Sequence, residues 1–188
     1  MISIITPFYG QHRQLPELIR CLQDQTCKDF ECVIWADGPD EWCKDHIATL
    51  GDSRFRYAEI PDGPHLDWGH YARDIGLNHA CGELVCFLGS DSLVQPTYLE
   101  RLSAPLRDAW DVSVCKIGHE KHGVIPKCFA IPLPTGEVDA MSFMVRTDIA
   151  RRIGWIWKHY EADNAFLNAV LQSTPRWIFL DELLGQHR

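Results

Sequence analysis

Three apolar runs in this chain stop at residues able to do chemistry. Ile2-Ser3-Ile4-Ile5-Thr6 ends at Pro7-Phe8-Tyr9, the run over 30–36 ends at Asp37, and Leu84-Val85-Cys86-Phe87-Leu88 ends at Gly89-Ser90-Asp91. The last run is too short for a helix and reads as a strand buried on both faces. If the three strands are parallel neighbours, their C-terminal ends open onto one crevice, where open α/β sheets bind ligands. A carboxylate delivered there is placed for a divalent cation, a ribose or a diphosphate. Neither G-x-G-x-x-G nor G-x-x-x-x-G-K-[ST] follows the first strand, so a dinucleotide fold and a P-loop are both unsupported. Such a crevice must hold its ligand with carboxylates and an aromatic ring, a metal handling any phosphate.

The elements that position these residues alternate in type. Leu15, Leu18, Ile19 and Leu22 recur at i, i+3, i+4 and i+7, one stripe of a helix, and Pro16 sits near its start, where a missing N–H costs little. A polar helix over 41–50, a strand over 55–60, a helix over 71–80 and a helix over 96–109 complete the first 110 residues. Alternation of this kind predicts right-handed βαβ units and a parallel sheet. Beyond them, 112–116 reads as a strand and 118–136, with three prolines, as a long loop or irregular hairpin. A strand over 141–146 precedes a short helix capped by Thr147 or Asp148. A helix over 163–172 shows Phe166, Leu167, Val170 and Leu171 on one face, and 177–180 is a last strand. With no repeat or linker, the 188 residues are expected to form one domain.

Hydrophobic content of 46% with 23% charged residues is ordinary for a globular chain. A net charge of -8 argues against nucleic acid or an anionic membrane as main partner. Strand-like sequence from Ile2 leaves no room for a signal peptide, and no apolar run approaches the ~20 residues that span a bilayer, so a cytoplasmic location is expected. The eight cysteines form no C-x-x-C pair and read as free thiols, several of them buried.

These residues resemble a known family. Ile2-Ser3-Ile4-Ile5-Thr6-Pro7-Phe8-Tyr9-Gly10 is similar to the opening strand of family-2 glycosyltransferases, and Gln25-Thr26-Cys27-Lys28-Asp29-Phe30-Glu31 to their Q-T-x-x-D-F-E step. Ala36-Asp37-Gly38-Pro39 stands where that family has D-D-G-S, and Tyr71-Ala72-Arg73-Asp74-Ile75-Gly76 resembles its A-R-N-x-G helix start. The block from Gly82-Glu83 to Ser92 resembles G-E-Y-I-x-F-L-D-x-D-D. The resemblance covers about the first 100 residues. It implies an α/β fold of the GT-A type, a Rossmann-like, mainly parallel sheet flanked by helices in a single domain. Residues 1–110 would form a nucleotide-binding half and 111–188 an acceptor half. The implied reaction is inverting transfer of a sugar from a nucleotide-diphospho-sugar, a UDP-sugar above all, to a hydroxyl of a carbohydrate or other acceptor.

Carried over residue by residue, the resemblance gives Asp37 the base, with Pro7 and Tyr9 beside it, and Arg73 the diphosphate, where His70 one turn earlier could share the role. Asp37 also suits an Asx-turn before Gly38-Pro39, and Arg73 a solvated helix face. Asp91 is the acid left of the family's D-x-D-D, since Gly89 and Ser92 replace its neighbours. Asp91 and the late His187 are the expected ligands of a divalent cation, Mn²⁺ or Mg²⁺, bound weakly without nucleotide. His187 could equally be a frayed terminal side chain. Asp163 matches the aspartate that takes the acceptor proton, with Glu161 as the alternative; both also suit a helix N-terminus by its dipole.

His119 and His122, three apart, read as surface residues of a proline-containing loop. Trp155, Trp157 and Tyr160 suit either an acceptor-sugar platform or aromatic cover over the core. The competing function is a degenerate module that keeps the nucleotide pocket without turnover. The eroded acidic motif favours it and Asp163 opposes it. A nucleotidyltransferase needs a glycine-rich loop after the first strand, which Pro7-Phe8-Tyr9-Gly10-Gln11-His12 does not supply.

Overall fold

Unbroken apolar runs in the first strands predict a sheet covered on both faces, and a computed structural model describing residues 1–127, 129–156 and 159–188 shows one. Strands β1 (Ile2–Phe8), β2 (Phe30–Asp37), β3 (Phe55–Ile60) and β4 (Leu84–Phe87) run parallel in the order β3-β2-β1-β4. Ile2, Ile4, Cys32, Ile34 and Cys86 pack with α1 (Leu15–Gln23), α2 (Glu41–Thr49) and α4 (Tyr98–Asp108). Ile5, Trp35, Val85 and Phe87 point the other way, to α3 (His70–His79), α5 (Thr147–Ile153) and α6 (Ala162–Ser173). A period of two thus sends successive residues to opposite cores.

The second half adds strands of both senses. β8 (Phe143–Arg146) pairs antiparallel with β4 and with β6 (Val112–His119), while β9 (Trp177–His187) runs parallel to β6. β5 (Ser92–Val94) closes the far edge antiparallel to β9, and β7 (Gly123–Ile125) folds back on β6 as a hairpin. β4 and β5 stand four strand positions apart in the sheet but are joined only by residues 88–91. Four strand spacings laid flat span roughly 19 Å, and five Cα steps reach at most about 17 Å. The sheet must therefore curl, and the curl brings the end of β9 back to the residue that follows β4.

Several sequence expectations change here. β5 was not anticipated, and the helix expected from residue 96 starts at Tyr98. The last strand, expected over 177–180, continues to His187, because register shifts around Lys116 carry the pairing past Asp181 and Glu182. His187 is therefore held in a strand and is not frayed. Trp155 is fully buried against Phe87 and Phe166, a core residue and no part of an acceptor platform. Trp157 and Cys128 lie outside the described residues. The described cysteines are all free, and Cys32, Cys43, Cys86 and Cys115 are buried; burial pushes the Cys32 and Cys43 thiols up to about 12. No described helix is long and apolar enough to cross a membrane.

Candidate active site

A cleft of about 440 Å³ opens where β1, β2 and β4 end, and it gathers Pro7, Tyr9, Asp37, His70, Arg73, Asp91, Glu161, Asp163 and His187. The nine residues that the sequence assigned to the nucleotide, the cation and the base are all brought to this one place.

At one end, Asp37 closes β2 and is fixed by a residue that the sequence did not reveal. Its Oδ2 accepts from the His65 backbone N–H at 2.8 Å, and its Oδ1 lies 2.7 Å from His65 Nδ1. The carboxylate raises the pKa of His65, whose ring stacks on Tyr71 at 4.0 Å between centroids. A Cβ at Gly63 would collide with Asp37 Oδ1, so only glycine lets this loop pass. Tyr9 stands 56% exposed on the lip and, with Asp37 and Pro39, also borders a smaller pocket of about 380 Å³.

The middle of the cleft is the N-terminus of α3. Gly69 caps it at φ +79°, where a Cβ would lie 2.5 Å from Pro7 Cβ, so the close approach of α3 to β1 requires glycine. Arg73 Nη1 donates to the Trp68 carbonyl at 2.7 Å, and the guanidinium lies 5.4 Å from the Trp155 ring centre. Its Nε is buried without a partner. Burial lowers its pKa, opposed by the charges of Asp163, Asp139, Asp67 and Asp91; the guanidinium remains charged. His70 accepts at Nδ1 from Trp155 Nε1 at 3.3 Å, and burial pulls it down to about 4. It enters the site neutral, a prop beside Arg73 and not a second positive charge.

Sheet register builds the third part. Ser92 pairs with His187 across β5 and β9, and His119 pairs with His187 across β6 and β9. Asp91 precedes Ser92, so its Oδ2 comes to 3.5 Å from His187 Nε2. Asp139 caps the 3-10 turn Ala140–Ser142, accepting from the Met141 N–H at 2.9 Å, and its Oδ2 lies 2.8 Å from His187 Nδ1. The two carboxylates raise His187 to about 10. Burial alone would raise Asp139, but His187 holds it below the usual carboxylate range. A Cβ at Gly89 would lie 2.6 Å from Asp91 Oδ1, so the glycine in the first acidic position is what this orientation of Asp91 demands.

The far wall is the start of α6. Asp163 Oδ1 accepts from the Asn164 N–H at 2.8 Å, and burial, then the charge of Asp139, push it up to about 7. Arg73 and the helix N-terminus favour its ionised form but are outweighed. Glu161 is tied instead to the Gly136 N–H at 3.3 Å. Trp68 and Tyr160, edge to face at 6.1 Å, also line the cleft.

His119 and His122, read as surface residues, both line the cleft. The β6–β7 hairpin turns His119 inward, half-buried at 4.9 Å from the His187 ring centre, while His122 stays exposed at the rim. His119, Asp139 and His187 hold their ligand atoms within 4.8 Å of one another. His187 Nδ1 is buried and, although close to Asp139, makes no well-directed hydrogen bond. Two imidazoles and a carboxylate around such an atom fit a divalent cation.

The fold is shared with solved glycosyltransferases. A structure of Staphylococcus aureus TarS residues 1–349 in complex with UDP-GlcNAc superposes with a TM-score of 0.80 at 20% identity, over 98% of this chain and 57% of that one. The mannosyltransferase PcManGT of Pyrobaculum calidifontis, solved with GDP-Man and Mn²⁺, gives 0.71 at 14% identity, over 99% and 56%. In sequence, an undecaprenyl-phosphate 4-deoxy-4-formamido-L-arabinose transferase of Enterobacter sp. (strain 638) is 30% identical over 122 residues, 59% of this chain and 35% of that protein. This chain thus spans little more than a third of that relative. The family model described as glycosyl transferase family 2 matches residues 3–171, nearly the whole chain, and the protein belongs to that family.

Proposed function

We propose that this glycosyltransferase takes its sugar from a nucleotide-diphospho-sugar, a UDP-sugar by preference, and passes it with inversion to a hydroxyl of a carbohydrate or other acceptor. The observation that carries the reading is Asp163: a carboxylate pushed to about 7 in the cleft that also holds Asp37, Arg73 and Asp91. A general base is most useful when its pKa lies near the working pH. The solved relatives bound to UDP-GlcNAc and to GDP-Man with Mn²⁺ support the donor class.

In this reading residues 1–110 bind the nucleotide and 111–188 meet the acceptor. Asp37, Pro7 and Tyr9 receive the base. Arg73 faces the diphosphate with a planar guanidinium suited to its oxygens. A divalent cation, held at Asp91 and His187, would neutralise charge on the leaving diphosphate. The acceptor oxygen attacks the anomeric carbon from the face opposite the diphosphate. The new C–O bond forms as the old one breaks, its electron pair leaves with the nucleotide, and the acceptor proton goes to Asp163. Glu161 holds the 136 loop against α6, which leaves Asp163 as the base.

The test is a thermal titration with UDP and GDP, with and without Mn²⁺, followed by donor hydrolysis. Ligand that binds only the native state raises its melting temperature. UDP is expected to raise it more than GDP. If neither nucleotide nor its sugars move the curve, the donor reading fails. A shift without turnover on any donor would make the chain a nucleotide-sugar-binding module.

A further inference from the structure

We propose that His119, Asp139 and His187 form a cation site that fills without nucleotide and prefers a transition-metal ion to Mg²⁺. The proposal deepens the donor reading and rests on it only for what the ion does afterwards.

Three observations carry it. The ligand atoms come from three separate elements, the end of β6, the cap of the 3-10 turn and the end of β9, and lie within 4.8 Å of one another. Neighbouring ligands around an ion with ~2.1 Å bonds lie ~3–3.4 Å apart. His187 Nδ1 and Asp139 Oδ2 already stand at 2.8 Å, and His119 needs only a small ring movement. Next, Nδ1 of His187 is buried and stands 2.8 Å from Asp139 Oδ2 without a well-directed hydrogen bond, so a cation can take the place of the proton that the pair shares. Finally, the other atoms of the set are already held. Asp91 faces the opposite ring nitrogen of His187 at 3.5 Å, and the Met141 N–H fixes the free oxygen of Asp139 at 2.9 Å. Outer partners of this kind fix ring orientation and strengthen ligation.

The chemistry of the set decides the ion. Mg²⁺ wants oxygen ligands and keeps several waters, whereas imidazole suits the later first-row ions. With two imidazoles in place of the missing acids, the site departs from an all-oxygen one. The weak, nucleotide-dependent cation expected at Asp91 and His187 becomes one that His187 holds with His119 and Asp139 before the nucleotide arrives.

The test uses the full chain, freed of metal by chelation and titrated with Co²⁺, Mn²⁺ and Mg²⁺ without nucleotide. One Co²⁺ per chain should bind, giving visible d–d bands, with Mg²⁺ at least ~100-fold weaker. His119→Ala and Asp139→Asn should each weaken Co²⁺ by at least ~10-fold, and Asp91→Asn by less. Imidazole NMR of the unmodified protein with Zn²⁺ needs no variant and should move the His119 and His187 resonances together. Thiolate-to-cobalt bands in the near-ultraviolet, unmoved histidines, or equal affinity for Mg²⁺ would each overturn the proposal. If UDP binds but Co²⁺ does not, this inference falls and the donor reading stands. If Co²⁺ binds at the histidines and no nucleotide ever does, the site stands and the donor reading falls.

Discussion

On the wall made by β1, β2 and β4, a carboxylate sits just past a strand end and is held by its own loop, as Asp37 is by His65. On the wall made by β9, the 3-10 turn and α6, two carboxylates are set against each other. Asp139 has His187 at 2.8 Å and is held below the usual range, while Asp163 has no cation that close among the described residues and is pushed up to about 7. Burial acts on both in the same direction, so the partner decides. A carboxylate with an imidazolium beside it stays ionised, and one facing that ionised neighbour does not. Environments that push two titratable groups apart are how one cleft comes to hold both a fixed charge and a base. In the proposed reaction the first wall recognises the nucleotide and the second takes the acceptor proton.

The sharpest way to break this comparison is Asp163→Asn. Positioned general-base catalysis contributes ~10²–10⁴-fold, so turnover should fall by that factor with UDP affinity nearly unchanged. kcat/KM of the unmodified protein should rise with pH through about 7 and flatten in the variant, because the base works only when ionised. Glu161→Gln, which loses a bond to the loop at Gly136, should cost less. If Glu161→Gln abolishes transfer while Asp163→Asn keeps it, the base has been placed on the wrong carboxylate.

The recognition wall is tested by Asp37→Ala. A hydrogen bond to a charged group contributes ~1.5–3 kcal/mol, so UDP affinity should weaken by roughly 10–100-fold with its thermal shift mostly lost. Turnover at saturating donor should change far less than in Asp163→Asn. An Asp37→Ala variant that binds UDP normally by calorimetry would move base recognition elsewhere in the cleft.

The two walls also differed in how far the sequence disclosed them. Strands β1, β2 and β4 each carry their functional residue at the point where an apolar run stops, so local periodicity placed Pro7, Asp37 and Asp91 together. Asp163 was legible through the family resemblance, which puts an acidic pair here, and its spacing to the apolar face at Phe166-Leu167 set it ahead of Glu161. His119 and Asp139 were not, because what brings them to His187 is the register of β6 on β9 and a capped turn. The pattern Asp139-Ala140-Met141-Ser142 announces a cap but says nothing of which strand it faces. The spacing of His119 and His122 could suit a metal but reads as surface, and only the β6–β7 hairpin shows that His119 faces the cleft while His122 stays exposed. His65 stayed hidden for the same reason: its partner lies 28 residues away. Pairing between distant segments leaves no local trace.

The smallest effect, and the cleanest test of why the walls differ, is on stability. Asp163 has its folded pKa raised from 3.8 to about 7, so between those values the native state holds more protons than the unfolded chain. Stability therefore falls as pH climbs through that window, and above about 7 the fold carries an ionised carboxylate that burial and Asp139 disfavour. Asp163→Asn removes this penalty at high pH and changes little below 3.8, where the carboxyl is neutral in both the native and the unfolded state. Two terms compete in the variant. Losing a negative charge in the first turn of α6 forfeits ~0.3–1 kcal/mol of helix-dipole stabilisation, while losing the repulsion from Asp139 restores stability. Since burial and Asp139 outweigh the helix and Arg73 in setting the pKa, the variant should melt higher than the parent at pH 8, by roughly 2–4 °C, and within a degree or so of it at about pH 3. The pH difference isolates the charge, because the shape of the side chain is the same at both. A variant less stable than the parent at pH 8 would mean that Asp163 is ionised without strain. The two walls would then differ in position alone and not in the work that burial does.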